Sequence, residues 1–222
     1  MSCLVDDLAR LLERTYDIDA HMRPLGRFVV GEQGQALLTA RRRVVERIDD
    51  AHGGARVLLR RLERGGWAVA LYLPAALVAR LEQHDPRREL NEENAPDFAT
   101  LVEEVDHLVT FADRAGHGAD VSLLELEWHA VVSQYLVLAH FIGRLTGRTR
   151  LAGHERAFIA RHVFDGDADA PDPEVNARYR RARRLGALTI EDLRSCNAAE
   201  RVRRLRRFHR ASLQQKLARL SA

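Results

Sequence analysis

Hydrophobic positions recur along this chain with two different periods. Behind Ser2, Leu4, Val5, Leu8, Leu11 and Leu12 repeat at helical spacing, which predicts an amphipathic helix to about Tyr16 with Ser2 as its cap. Arg27-Phe28-Val29-Val30 reads as a short strand ended by Gly31. Residues 35–50 fit both periods: composition allows a helix, the alternation over Val44–Ile48 allows a strand, and helix is preferred. Two runs rich in β-formers, 56–62 and 67–73, flank Gly65-Gly66, which predicts a hairpin whose turn uses the positive φ angles that glycine tolerates. Pro74 is preset for the first position of a helix to about Gln83.

The chain is organised around residues 91–146, read as two helices joined by a short turn at 115–120. In the first, opened by Pro96, Phe98, Leu101, Val102, Val105, Leu108, Val109 and Ala112 share a face. The second opens with the Ser122/Glu125 capping box and is apolar on nearly every side, so it belongs in the middle of the fold. It does not read as a membrane span, because Glu127, His129, Gln134 and His140 punctuate it. Further helices are expected over 153–163 and 173–185, with a brief piece at 190–193 and a last helix over 198–220. The expected fold is α+β, mainly α, in one domain. A small helix and hairpin unit over 1–83 merges into a helical bundle over 84–222, centred on the buried helix at about 121–146.

Composition narrows the class. At 222 residues, 46% hydrophobic and 30% charged, the chain suits a globular protein able to bury a core without staples. Cys3 and Cys196 are far apart, with no zinc-type or redox spacing, and no apolar signal core follows Met1; both point to a reducing cytoplasm. Lys216 is the only lysine among 35 basic residues, which we read as GC-rich, bacterial codon usage. Charge is segregated: residues 1–170 carry 21 basic and 27 acidic residues, whereas residues 171–222 carry 14 basic and 5 acidic. Such a tail docks on an acidic body or meets an acidic partner.

Candidate chemistry is sparse. Glu104-x-x-His107 is one copy of the unit that carboxylate-bridged bundles use twice, and Glu127 on the next helix is a further donor; Glu104, His107 and Glu127 are the metal candidates. No second copy exists, and the helical wheel places His107 beside Glu103 away from the apolar face, which reads more plainly as a solvated Glu–His pair. Glu127 itself falls on the face of Leu124, Val131, Leu138 and Ile142, so it should be buried and paired with a guanidinium from another helix. Asp165, Asp167 and Asp169 imitate a calcium loop, but Ala170 and Asn176 occupy positions that need Gly and Glu. No phosphate-loop, dinucleotide, zinc-protease or nucleophile-elbow motif occurs, and no catalytic residue or cofactor is assigned.

With no chemical signature, the expectation is a non-enzymatic accessory or adaptor protein of a bacterial cytoplasmic assembly, acting through protein contacts. Nucleic-acid binding is the alternative, through Arg180, Arg181, Arg184, Arg203, Arg204 and Arg207, and a carboxylate–histidine metal protein or enzyme is the third. No membrane contact is expected, since the last helix lacks anchoring aromatics. A homo-oligomer is compatible with the pattern.

Overall fold

The central helix expected from its continuous apolar surface is α5, Leu123–Thr146, and it is packed on several sides. The computed structural model describes residues 1–40, 46–48, 54–165 and 172–220. α5 starts at the capping box: the Glu125 amide donates to Ser122 Oγ at 3.2 Å and the Ser122 amide to Glu125 Oε2 at 3.4 Å. It stops at Gly147, whose φ of 67° is the left-handed conformation a helix C-terminus favours. Antiparallel α4, Ala95–Gly116, covers one side of α5, and α7, Pro173–Arg194, covers another; α6, Gly153–Val163, closes the bundle.

α7 is one helix, not the two pieces expected from the sequence. The reason is Gly186. A Cβ at this position would lie 2.3 Å from Val131 Cγ1, so the residue is a place of close approach between α7 and α5 rather than a stop. The C-terminal helix departs in the opposite sense. It divides into α8, Ala198–Arg210, and α9, Leu213–Leu220. Ser212 caps the second piece, accepting from the Gln215 amide at 3.4 Å, while its own amide donates to Gln215 Oε1 at 3.0 Å. Ser-x-x-Gln is a capping box, and it starts a new helix inside the stretch expected to be one. Within α8, Leu205 and Phe208 are buried, whereas Val202 is exposed.

The N-terminal part holds α1, Ser2–Tyr16, a short helical turn Leu25–Phe28, and strand β1, Val29–Val30. α2, Glu32–Ala40, and strand β2, Glu46–Ile48, follow. The helix preferred over 35–50 is therefore present up to Ala40, while 46–48 is strand. The edge of β3 supplies the hydrogen-bonding partner that turns 46–48 into strand, paired Ile48 to Val57; residues 41–45 and 49–50 lie outside those described.

β3, Arg56–Arg61, and β4, Trp67–Tyr72, form the expected hairpin, with Gly65 and Gly66 at φ near 85°. The sheet order is β1-β4-β3-β2. The pleat sends Val57, Leu59 and Leu71 into the main core, and Leu58, Ala70 and Tyr72 toward Val30 and Leu38 on the opposite face. α3, Ala75–Gln83, then leads into α4. α1 lies against α4, α5 and α8, so its Leu4, Val5, Leu8 and Leu12 belong to the same core as the bundle. The architecture is thus α+β, mainly α. Among the described residues no helix is long and apolar enough to cross a membrane.

A buried carboxylate–histidine cluster as the candidate functional site

Polar side chains are concentrated where α4 meets α5. One donor atom from each of Glu103, His107 and Glu127 lies within 4.8 Å of the others. Glu103 and His107 are four residues apart on α4 and so share a face. Glu127 reaches them from α5, its Oε2 3.5 Å from His107 Nε2. His107 is 0% exposed, Glu127 1% and the adjacent Glu104 3%. The expectation of a solvated Glu–His pair is therefore overturned. α4 is covered on more sides than a one-face wheel assumes, because α5 and α6 as well as the sheet pack on it.

The cluster is under-bonded. Both His107 ring nitrogens, Glu104 Oε2 and Glu127 Oε1 lack hydrogen-bond partners although buried. A buried polar atom without a partner costs about 1–3 kcal/mol, so four in one cluster call for an explanation. Glu103 is better held, accepting from Gln134 Nε2 at 2.9 Å. Arg178 on α7 brings its Nε to 3.6 Å from Glu127 Oε1, an ion-pair distance, and this is the guanidinium anticipated for Glu127. Burial works against the His107 imidazolium, but Glu127, Glu104 and Glu103 outweigh it and hold His107 up at about 10. Burial, with Glu127 beside it, pushes Glu103 up to about 7. Glu104 is driven well above the ordinary carboxyl range, chiefly by burial.

A second polar row starts one turn away and is fully bonded. Tyr16 on α1 meets Ser133 Oγ at 2.7 Å, and Ser133 donates to Asp106 Oδ1 at 2.6 Å. Asp106 accepts from His129 Nδ1 at 2.9 Å; His129 Nε2 lies 3.1 Å from His209 Nδ1, and His209 Nε2 lies 2.9 Å from Asp113 Oδ2. The three contacts made by the two rings need three N–H hydrogens on four nitrogens, so the complete row holds one positive charge between two aspartates. Burial and His129 push His209 down to about 4, against the pull of Asp113, so a second proton is resisted. Burial opposes the Asp106 carboxylate, but His129 and Ser133 outweigh it and hold its pKa below the ordinary value. Burial, reinforced by Asp106, keeps the Tyr16 phenol protonated and hence a donor. Ser133 faces a carboxylate rather than an imidazole, so this row is no nucleophilic triad. It ties α1, α4, α5 and α8 together.

The residues singled out from the sequence are thus scattered in role. His107 and Glu127 do meet, with Glu104 alongside, and Glu103 completes the set. Glu125 instead pairs with Lys216 Nζ at 3.1 Å, both side chains buried. His140 is exposed. Arg180, Arg181 and Arg184 form an exposed face of α7, as their spacing requires. Arg203, Arg204 and Arg207 all pair with Glu200, and Arg204 also with Asp192 at 2.5 Å. Of the acidic loop, 166–171 lies outside the described residues.

Asp106, Asp113, Ser133 and His209 carry no motif in the sequence that marks them as a set. The one local signal was Asp106, Thr110 and Asp113 at helical spacing on α4. Comparison with known proteins finds no matching family model, no matching curated protein and no matching solved structure.

Proposed function

We propose that the protein binds a divalent first-row transition-metal ion between α4 and α5, through Glu103, His107 and Glu127 with Glu104 as a further donor. The observation that carries this reading is His107. It is fully buried among three carboxylates, yet neither ring nitrogen has a hydrogen-bond partner. A cation at that point would take a ring nitrogen and carboxylate oxygens as ligands, removing the orphaned atoms and the repulsion between the acids together. One imidazole with carboxylates suits Mn²⁺, Fe²⁺ or Zn²⁺ better than a thiolate-seeking ion. Such an ion would act as a Lewis acid or activate water if a coordination position stays open to substrate.

The test is elemental analysis after equilibration with each ion and dialysis, followed by melting with and without chelator. We expect one ion per chain, and a rise in stability of about 2.7 kcal/mol when free ion is a hundredfold above its dissociation constant. Glu103→Gln, at a partly exposed position, should lose the ion while keeping the fold. If no ion is retained and His107→Leu is more stable than the parent, the cluster is a structural charge network completed by Arg178, and the metal reading fails.

A second reading rests on the exposed Arg180, Arg181 and Arg184 face of α7: an accessory or adaptor role, in which this face meets an acidic surface on a protein partner. Arg204 pairs with Asp192 of α7 and Arg210 with Asp17 at the end of α1, while Glu200 on the same helix answers Arg203 and Arg207; this supports docking of α8 over phosphate contact. Duplex DNA should therefore not bind at low salt. Binding that weakens with salt at about 0.9 log–log units per phosphate contact would replace this reading with nucleic-acid recognition, and Arg203, Arg204 and Arg207 to Gln should then flatten that slope.

A further inference from the structure

Away from the carboxylate–histidine cluster, the last turns of α5, the loop 147–152, the start of α6, the end of α7 and the start of α8 line a cavity of about 620 Å³. Five guanidiniums line it, from Arg148, Arg150, Arg156, Arg194 and Arg201, and no carboxylate does. Some of this charge is answered nearby. Arg148 lies 3.5 Å from Glu155, and Arg194 pairs with Glu191 at 2.8 Å. The rest is not: among the described residues Arg150, Arg156 and Arg201 have no acidic partner. Arg156 donates to the Leu151 carbonyl at 2.6 Å, and Arg201 to the carbonyls of Leu193 and Cys196, both at 3.2 Å. Backbone oxygens therefore orient these two guanidiniums without cancelling their charge.

The floor carries a second sign. Tyr135 is 8% exposed and stacks on Phe164 at 5.7 Å, but its hydroxyl makes no hydrogen bond among the described residues. Apolar side chains from Leu136, Ala139, Ile190 and Leu193 complete the floor. Clustered cations that repel one another, an unbonded hydroxyl at the cavity wall and an apolar floor are what a small anion with an uncharged body would fill.

We propose that this cavity binds a small ligand carrying two or more linked phosphates, of the size of a nucleoside diphosphate. Its volume falls within the range of about 300–1,000 Å³ usual for small-molecule sites. The planar guanidinium fork grips phosphate oxygens in pairs, and several forks around one cavity favour a multiply charged group over a single carboxylate. Pyrophosphate shares this chemistry but would leave the apolar floor uncovered. The cavity stands apart from the carboxylate–histidine cluster, since none of its lining residues belongs to that cluster.

The experiment is titration calorimetry of the full chain with ADP, pyrophosphate, inorganic phosphate and oligothymidylate. ADP should bind once per chain, more tightly than inorganic phosphate. Pyrophosphate binding as tightly as ADP would assign the site to the linked phosphates alone, keeping the phosphate recognition and removing the uncharged body. Arg150→Gln and Arg156→Gln should each weaken binding about tenfold or more, as loss of a charge-assisted hydrogen bond does, without lowering the melting temperature. Arg203→Gln with Arg207→Gln, outside the cavity, should leave ADP affinity unchanged. Equal weakening by both sets would reduce the effect to general positive charge and overturn the site. So would failure of every phosphate probe to bind, or oligothymidylate binding where ADP does not.

Discussion

Glu127→Ala is expected to lower the stability of the metal-free protein by about 3–5 kcal/mol, the usual cost of removing one partner from a buried ion pair. Glu127 is 1% exposed and lies between His107 at 3.5 Å and Arg178 at 3.6 Å. Removing its carboxylate leaves two cationic groups facing each other across a small cavity with no counter-charge from α5. Glu127→Gln keeps the volume and one carbonyl oxygen, so it should cost less; under the proposed metal binding it removes an anionic ligand and should abolish ion uptake. Denaturant unfolding with and without chelator separates the two roles. A large loss for Ala in chelator reports the pair, and loss of ion-dependent stabilisation in Gln reports the ligand. Unchanged stability for both variants would show that Glu127 is not in the core.

Asp106→Ala should be comparably damaging, again by about 3–5 kcal/mol, for a different reason. Asp106 is 1% exposed and accepts from both His129 and Ser133. Its loss strands two donors and removes one of the two carboxylates that hold the shared histidine charge. The row runs on through His209 to Asp113, so the effect should be non-additive with His209→Phe: a double-mutant cycle should give a coupling of about 0.5–3 kcal/mol. Because His209 is carried by α8 and Tyr16 by α1, protease sensitivity should rise first in those helices. An Asp106→Ala loss under about 1 kcal/mol, with no coupling, would mean that the row does not hold α1 and α8 in place.

Element identity was legible wherever the code is local. The hairpin is written in two runs of β-formers around Gly65-Gly66, and α5 in the Ser122/Glu125 box and its all-round apolar surface. The burial of Glu127 and its guanidinium partner followed from a wheel and a charge argument, because a helical face is a property of sequence spacing. Other features depended on what packs against what. The expected stop at 185 gives way to one continuous helix through Gly186, where Val131 takes the space a side chain would need. The strand 46–48 exists because the β3 edge offers hydrogen bonds. Burial of His107, read as exposed, was set by α5, α6 and the sheet closing over α4, which no one-helix wheel contains.

The site divides in the same way. The sequence by itself determined a mainly helical α+β chain with a central buried helix, a basic C-terminal segment and a Glu104-x-x-His107 unit near Glu127. Tertiary structure alone decided that Glu103 rather than a second such unit completes the cluster. It alone joined Tyr16, Ser133, Asp106, His129, His209 and Asp113 into one row, and brought five arginines from 148–201 around a single cavity. The physical reason is that charges and hydrogen bonds act across a few ångströms of space, whereas sequence patterns record only neighbours along one helix or strand.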